Sequence, residues 1–166
     1  MRIAFIVSSV ALLLICCKQK AKEDIFSGVP TDSTKKYIDS IAKKIFADAG
    51  MPFTGRPSPQ KNTSYYDERN YRDSQGNLAE YLIIENLSDT IENYTSYYFY
   101  KNHLIQVWLT KIAYKKFLGL SRYYFRDDKI FDSDTGRLSL IPADTLLNRA
   151  KLYLSYKGDL GDTKYR

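Results

Sequence analysis

Cysteine occurs only at two adjacent positions near the start, Cys16 and Cys17, and nowhere in the rest of the chain. A domain built from that remainder has no disulfide, no thiol nucleophile and no thiolate metal site. Histidine is scarcer still, with His103 standing alone, so a zinc cluster or an imidazole-based triad would rest on one residue. No Gly-x-Ser-x-Gly elbow, phosphate loop, dinucleotide fingerprint or His-Glu-x-x-His motif occurs. These absences predict a protein that is not an enzyme and that carries no cofactor and no metal. Long hydrophobic runs are also missing. The longest runs from Ile3 to Cys17, broken only by Ser8 and Ser9, and at ~15 residues it falls short of the ~20 that span a bilayer as a helix.

That run does have the shape of an export signal, with Arg2 before it and an abrupt polar stop at Lys18. Its last residues, Leu14, Ile15, Cys16 and Cys17, resemble the lipobox of bacterial lipoproteins, in which an aliphatic and a small residue precede the acceptor cysteine. The resemblance covers residues 1–17 only and implies cleavage before Cys17, lipidation of that residue, and attachment to a membrane of the cell envelope. Cys16 departs slightly from the glycine, alanine or serine that is commoner there. An ordinary cleaved signal peptide, or an apolar start by chance, is the alternative. Acyl carbons contribute ~0.8 kcal/mol each, so several chains on one cysteine hold a domain durably.

The division expected is therefore a signal peptide over 1–16, a lipidated tether over 17–31 and one domain over 32–166. Basic residues outnumber acidic ones, 25 to 19, and signal cleavage removes only Arg2 among the charges. The excess is dispersed in pairs such as Lys35 with Lys36 and Lys43 with Lys44, with acids between them. Such patterning suits solvated faces, and no nucleic-acid partner is expected.

Apolar positions Ile38, Ile41, Ala42, Ile45 and Ala49 recur at helical spacing and predict a helix over 34–49, closed by Gly50 and Pro52. A second helix is expected over 142–157, opened by Pro142 and stopped by Gly158. Between them, residues 64–134 are rich in tyrosine, isoleucine and valine, with turns expected at 73–77, 86–89, 101–102, 117–119, 127–128 and 132–136. The fold class read from this order is α+β: an antiparallel β-meander packed against an N-terminal and a C-terminal helix, both helices on one sheet face. By element order alone it loosely resembles cystatin-like or nuclear-transport-factor-like domains, which host many functions.

Residues 97–105 echo residues 123–131, each with three aromatics, a polar turn and two apolar residues. Two-residue loops would pair Phe99 with Leu104 and Phe125 with Ile130. That register collects Thr95, Tyr97, Gln106 and Trp108 on one face, with Tyr123 and Asp132 equivalent, and Tyr94, Tyr98, Ile105, Val107 and Leu109 on the other. The aliphatic face is assigned to the core. Tyr97, Gln106, Trp108 and Tyr123 then form the expected ligand-binding face, its partner a glycan, a peptide or a protein, because rings beside hydrogen-bonding groups suit recognition. The bland reading is that helices cover this face and the tyrosines are core.

Carboxylates at Asp67/Glu68, Asp127/Asp128 and Asp132/Asp134 offer a carboxylate-dependent hydrolase as an alternative, which needs two of them across a cleft. Their positions also fit local turn chemistry. Residues 132–136 match a calcium loop only in part, with the glycine one place early and the closing glutamate missing. Triplets at 32–34, 39–41, 89–91 and 144–146 resemble the O-glycosylation signal of exported Bacteroidetes proteins and are equally good capping chemistry. The function expected is a non-catalytic binding or assembly module of the envelope, an inhibitor or immunity lipoprotein being one version.

Overall fold

The computed structural model describes residues 24–49, 65–88, 90–136, 138 and 141–155, and Cys17, residues 50–64 and Gly158 lie outside them. Helix α1 spans Thr31–Ala49, and six strands follow: β1 Tyr65–Arg72, β2 Leu78–Ser88, β3 Ile91–Tyr100, β4 His103–Ala113, β5 Lys116–Arg126 and β6 Lys129–Thr135. Helix α2, Ala143–Ser155, completes the described residues. The strands lie in sequence order in a single antiparallel meander. The α+β class and both helices are as expected from the sequence.

The helices do not share a face. Ile38 and Ala42 of α1 pack with Tyr98, Ile105 and Tyr124, whereas Leu146, Ala150 and Tyr153 of α2 pack with Tyr97, Val107 and Tyr123. The sheet is therefore sandwiched, and both faces of its central strands are buried. Alternation explains this: Tyr97, Tyr98 and Phe99 are successive, all buried, and must point to opposite sides.

Helix α1 begins three residues before the expected start. The Pro30 carbonyl accepts from the Ser33 amide at 2.9 Å and the Thr34 hydroxyl at 3.1 Å, closing the first turn. Part of the expected tether also belongs to the domain. Asp24 Oδ1 accepts from the Phe26 amide at 2.9 Å, its other oxygen takes Arg126 Nη2 at 2.8 Å, and Phe26 is buried against α1.

The hairpins joining β3 to β6 follow one plan. Their two-residue turns, Lys101 with Asn102, Tyr114 with Lys115 and Asp127 with Asp128, all have positive φ at both positions and recur every 13 residues. This is the turn whose twist matches that of paired strands. Each is followed by a one-residue bulge, at Ile105, Leu118 and Phe131, where the partner register skips. The echo at 26 residues seen in the sequence is two steps of this period. Its middle copy carries no turn signal in the sequence, because the turn there is Tyr114-Lys115, without a turn-forming residue.

Two expected turns are corrected by the same geometry. Residues 117–119 lie within β5, and 132–135 lie within β6. Gly136 serves close approach instead. A Cβ there would lie 2.6 Å from the Leu120 carbonyl oxygen, whereas one on Gly119 would meet Leu138 at 3.5 Å, an ordinary contact distance.

Candidate functional site

The four residues expected to form one recognition face are divided between two buried layers. Phe99 does pair with Leu104 as the sequence suggests, but the bulge at Ile105 then shifts register by one, so Tyr98 faces Gln106 and Tyr97 faces Val107. A one-residue shift exchanges the faces of everything beyond it. Tyr97 and Tyr123 thus join the α2 side, while Gln106 and Trp108 join the α1 side. Tyr97, Gln106 and Tyr123 are buried. No open face carries these four side chains together.

Each has an internal partner. Tyr97 meets Tyr153 edge-on at 5.0 Å, and the Tyr123 hydroxyl accepts from the Ile141 amide at 3.2 Å. Gln106 donates to Asp39 of α1 at 2.8 Å, beside the Tyr124 hydroxyl, which donates to the same oxygen at 3.0 Å. Burial raises the Tyr124 pKa, and its bond to Asp39 raises it further. Trp108 is wedged between Phe46 and Tyr98, with ring centroids 5.9 and 4.9 Å away, and Arg122 lies over it at 5.6 Å.

The carboxylate pairs are not assembled either. Asp67 and Glu68 are neighbours in one strand and point to opposite sides: Asp67 is buried against Arg69 at 2.8 Å, and Glu68 accepts from Tyr81 at 3.0 Å. Asp132 is held by Lys35 at 2.8 Å, and Asp134 lies 3.7 Å from Arg122. Asp127 and Asp128 form the β5–β6 turn, and His103 is the first residue of β4, opposite Tyr100. Among the described residues no group of three metal-ligating side chains comes together.

One carboxyl the sequence did not single out is buried. Glu80 sits on the α1 side in the row Glu80, Tyr98, Gln106, Tyr124, and burial raises its pKa from the ordinary 4.5, with Ser96 and Tyr98 partly offsetting this. The folded state favours its neutral form. Its contribution to stability is complete below the ordinary glutamate range and is lost as pH rises through the raised value. Glu80→Gln keeps the shape without the charge, so its melting temperature should exceed wild type at pH 8 and converge with it near pH 4. A scan of both proteins across that range checks this, and equal melting at every pH would contradict it.

An open concavity lies elsewhere among the described residues, on the α2 side beyond the reach of α2. Rows Thr95–Leu109 and Glu85–Asn93–Lys111 form its floor, and Leu118, Leu138 and Ile141 its walls. Its volume is about 490 Å³, within the range of small-ligand and peptide sites. Two features build it. The bulge at Leu118 turns that side chain out of the regular alternation, and the Ile141–Tyr123 bond ties the segment before α2 to β5. Glu85 and Lys111 bring opposite charges to the floor, with Asn93 and Thr95 as neutral hydrogen-bonding groups. Sequence reasoning missed this site because its walls come from positions read as turn or linker.

Compared with known proteins, the chain matches no family model, no curated protein and no solved structure.

Proposed function

We propose that this chain is a lipid-anchored envelope lipoprotein whose domain is a non-catalytic binding or assembly module, taking a peptide or protein segment in the cleft between the sheet and residues 138–141. The cleft itself carries the reading. Aliphatic walls of Leu118, Leu138 and Ile141 over a floor with Leu109 and a few polar groups suit an apolar side chain on an extended backbone. A sugar would call for an exposed aromatic platform in the cleft, and the ring among its lining residues, Tyr94, is buried. The anchor rests on the leader and on Cys17, and no helix among the described residues is long and apolar enough to cross a membrane.

The test joins anchor and cleft. Intact mass of the membrane-extracted protein should show a chain beginning at Cys17 with added acyl mass, and Cys17→Ser should abolish that mass and the membrane association. Crosslinking in intact cells should then give a defined partner with wild type and lose it, about tenfold or more, with Thr95→Arg, which fills the cleft from its floor. A loss of ~1.4 kcal/mol of binding already gives that factor. Thr95→Arg that melts like wild type and keeps the partner would rule the cleft out. A mature chain starting elsewhere would rule out the anchor.

A further inference from the structure

The repeated hairpins allow an internal comparison. After each turn come a basic or imidazole side chain and two apolar ones: His103, Leu104, Ile105; Lys116, Phe117, Leu118; Lys129, Ile130, Phe131. In the first hairpin the apolar pair is core, with Leu104 3% and Ile105 0% exposed. In the second the equivalent pair is in solvent, Phe117 64% and Leu118 50% exposed, more than Ile130 and Phe131 of the third at 39% and 40%. Leu118 walls the cleft, and Phe117 does not.

The turn before that pair is also unusual. Its first position holds Tyr114, at φ 50 and 73% exposed, where asparagine, aspartate or glycine is favoured. A bulky residue with positive φ goes against local preference. A ring has been placed at the extreme tip despite the conformation, and a second ring stands out of the core three residues later. Lys115 and Lys116, both exposed, lie between them.

We propose that this β4–β5 tip is a second membrane contact, with Tyr114 and Phe117 entering the interface of an anionic bilayer and Lys115 and Lys116 lying on its headgroups. The tip is the end of a hairpin, and two rings flanking two ammonium groups match the layered chemistry of a bilayer interface. The proposal rests on the reading of the chain as a lipid-anchored protein. Asp24, where the described chain begins, is bonded to Arg126 at the opposite end of the strands. From Cys17 to Asp24 the chain reaches at most about 23 Å, and β4 is about 35 Å long. Both ends meet one bilayer when the strands lie along its plane. Phe117 pairs with Ile112, which packs with Leu82, Ile84 and Tyr94 on the α1 side. That side also carries the outward Lys36, Lys43 and Lys44 of α1 beside the exposed Asp32 and Asp48, so lysines outnumber acids on the surface turned to the lipid.

The test uses acylated protein purified from membranes and reconstituted into vesicles of phosphatidylcholine alone or with phosphatidylglycerol, each with and without bromine on the acyl chains. Phe117→Trp adds an indole to the background of Trp108, which wild type measures alone. In anionic vesicles the added fluorescence should fall by about half with brominated lipid, as for a ring ~5–10 Å below the headgroups. Lys115→Glu with Lys116→Glu should remove that quenching while the vesicles still carry the protein. Intact mass and vesicle flotation on the same sample report the anchor separately. Anchored protein whose added indole is not quenched would overturn the tip contact. Equal quenching in neutral vesicles would overturn the role of the lysines. Emission that responds to protein concentration and not to lipid would assign the tip to a second copy of the chain, again overturning the proposal.

Discussion

Tyr153→Ala should lower the melting temperature by about 10–20 °C, whereas Leu152→Ala, one residue away on the same helix, should change it little. Tyr153 stacks on Tyr81 at 3.9 Å with an interplanar angle of 8° and meets Tyr97 edge-on at 5.0 Å. It is the buried residue nearest the end of α2, and with Leu146 and Ala150 it forms the buried stripe of that helix. Removing a buried aromatic ring costs about 3–5 kcal/mol, and each kcal/mol is worth roughly 3–4 °C in a domain of this size. Leu152 is 66% exposed, and alanine is at least as good a helix former. Tyr153→Phe separates ring from hydroxyl and should stay within about 1 kcal/mol of wild type, because the stacking and the buried area remain. Thermal unfolding of the three variants checks the order. Equal losses for Tyr153→Ala and Leu152→Ala would mean that α2 is not seated through this ring.

The elements were legible in the sequence because each rests on a local signal. Ile38 and Ala42 at helical spacing mark α1, and Leu146, Ala150 and Tyr153 mark α2. Turns at 73–77, 101–102 and 127–128 carry asparagine, aspartate or glycine. What local signals could not supply was the side on which each strand residue lies. A bulge changes that by a single residue and leaves no mark in composition, since Ile105 is as ordinary in a strand as Val107. Having lost the register, the sequence reading joined Tyr97 to Gln106 and predicted one aromatic face where there are two cores. Glycine misled for a related reason. At 136 it makes room for the Leu120 carbonyl, a long-range need that in a single sequence looks like a turn. The cleft was illegible because its walls meet only after the segment before α2 folds back on β5.

Deleting Ile105 should leave a folded domain, and deleting Val107 should not, although both side chains are fully buried in the same strand. Ile105 is the extra residue of its bulge, so removing it lets Leu104 and Gln106 alternate directly while Phe99–Leu104 and Tyr98–Gln106 pairing is kept. The loss is then the packing of one isoleucine under α1, about 2–5 kcal/mol. Removing Val107 can also be absorbed by closing the bulge, but only by pairing Tyr98 with Ile105 and Tyr97 with Gln106. That carries the Gln106 amide from Asp39, where it donates at 2.8 Å, into the cluster of Tyr97, Leu104, Leu109 and Tyr123 on the α2 side. An amide buried there without partners costs about 2–7 kcal/mol beyond the lost valine, and the two together match much of the 5–15 kcal/mol that holds a typical domain. Urea unfolding followed by circular dichroism should therefore show a cooperative transition for the first deletion and none, or a midpoint far lower, for the second. A Val107 deletion as stable as the Ile105 deletion would show that the strand tolerates Gln106 on either side, and the division of its neighbours between two cores would then fail.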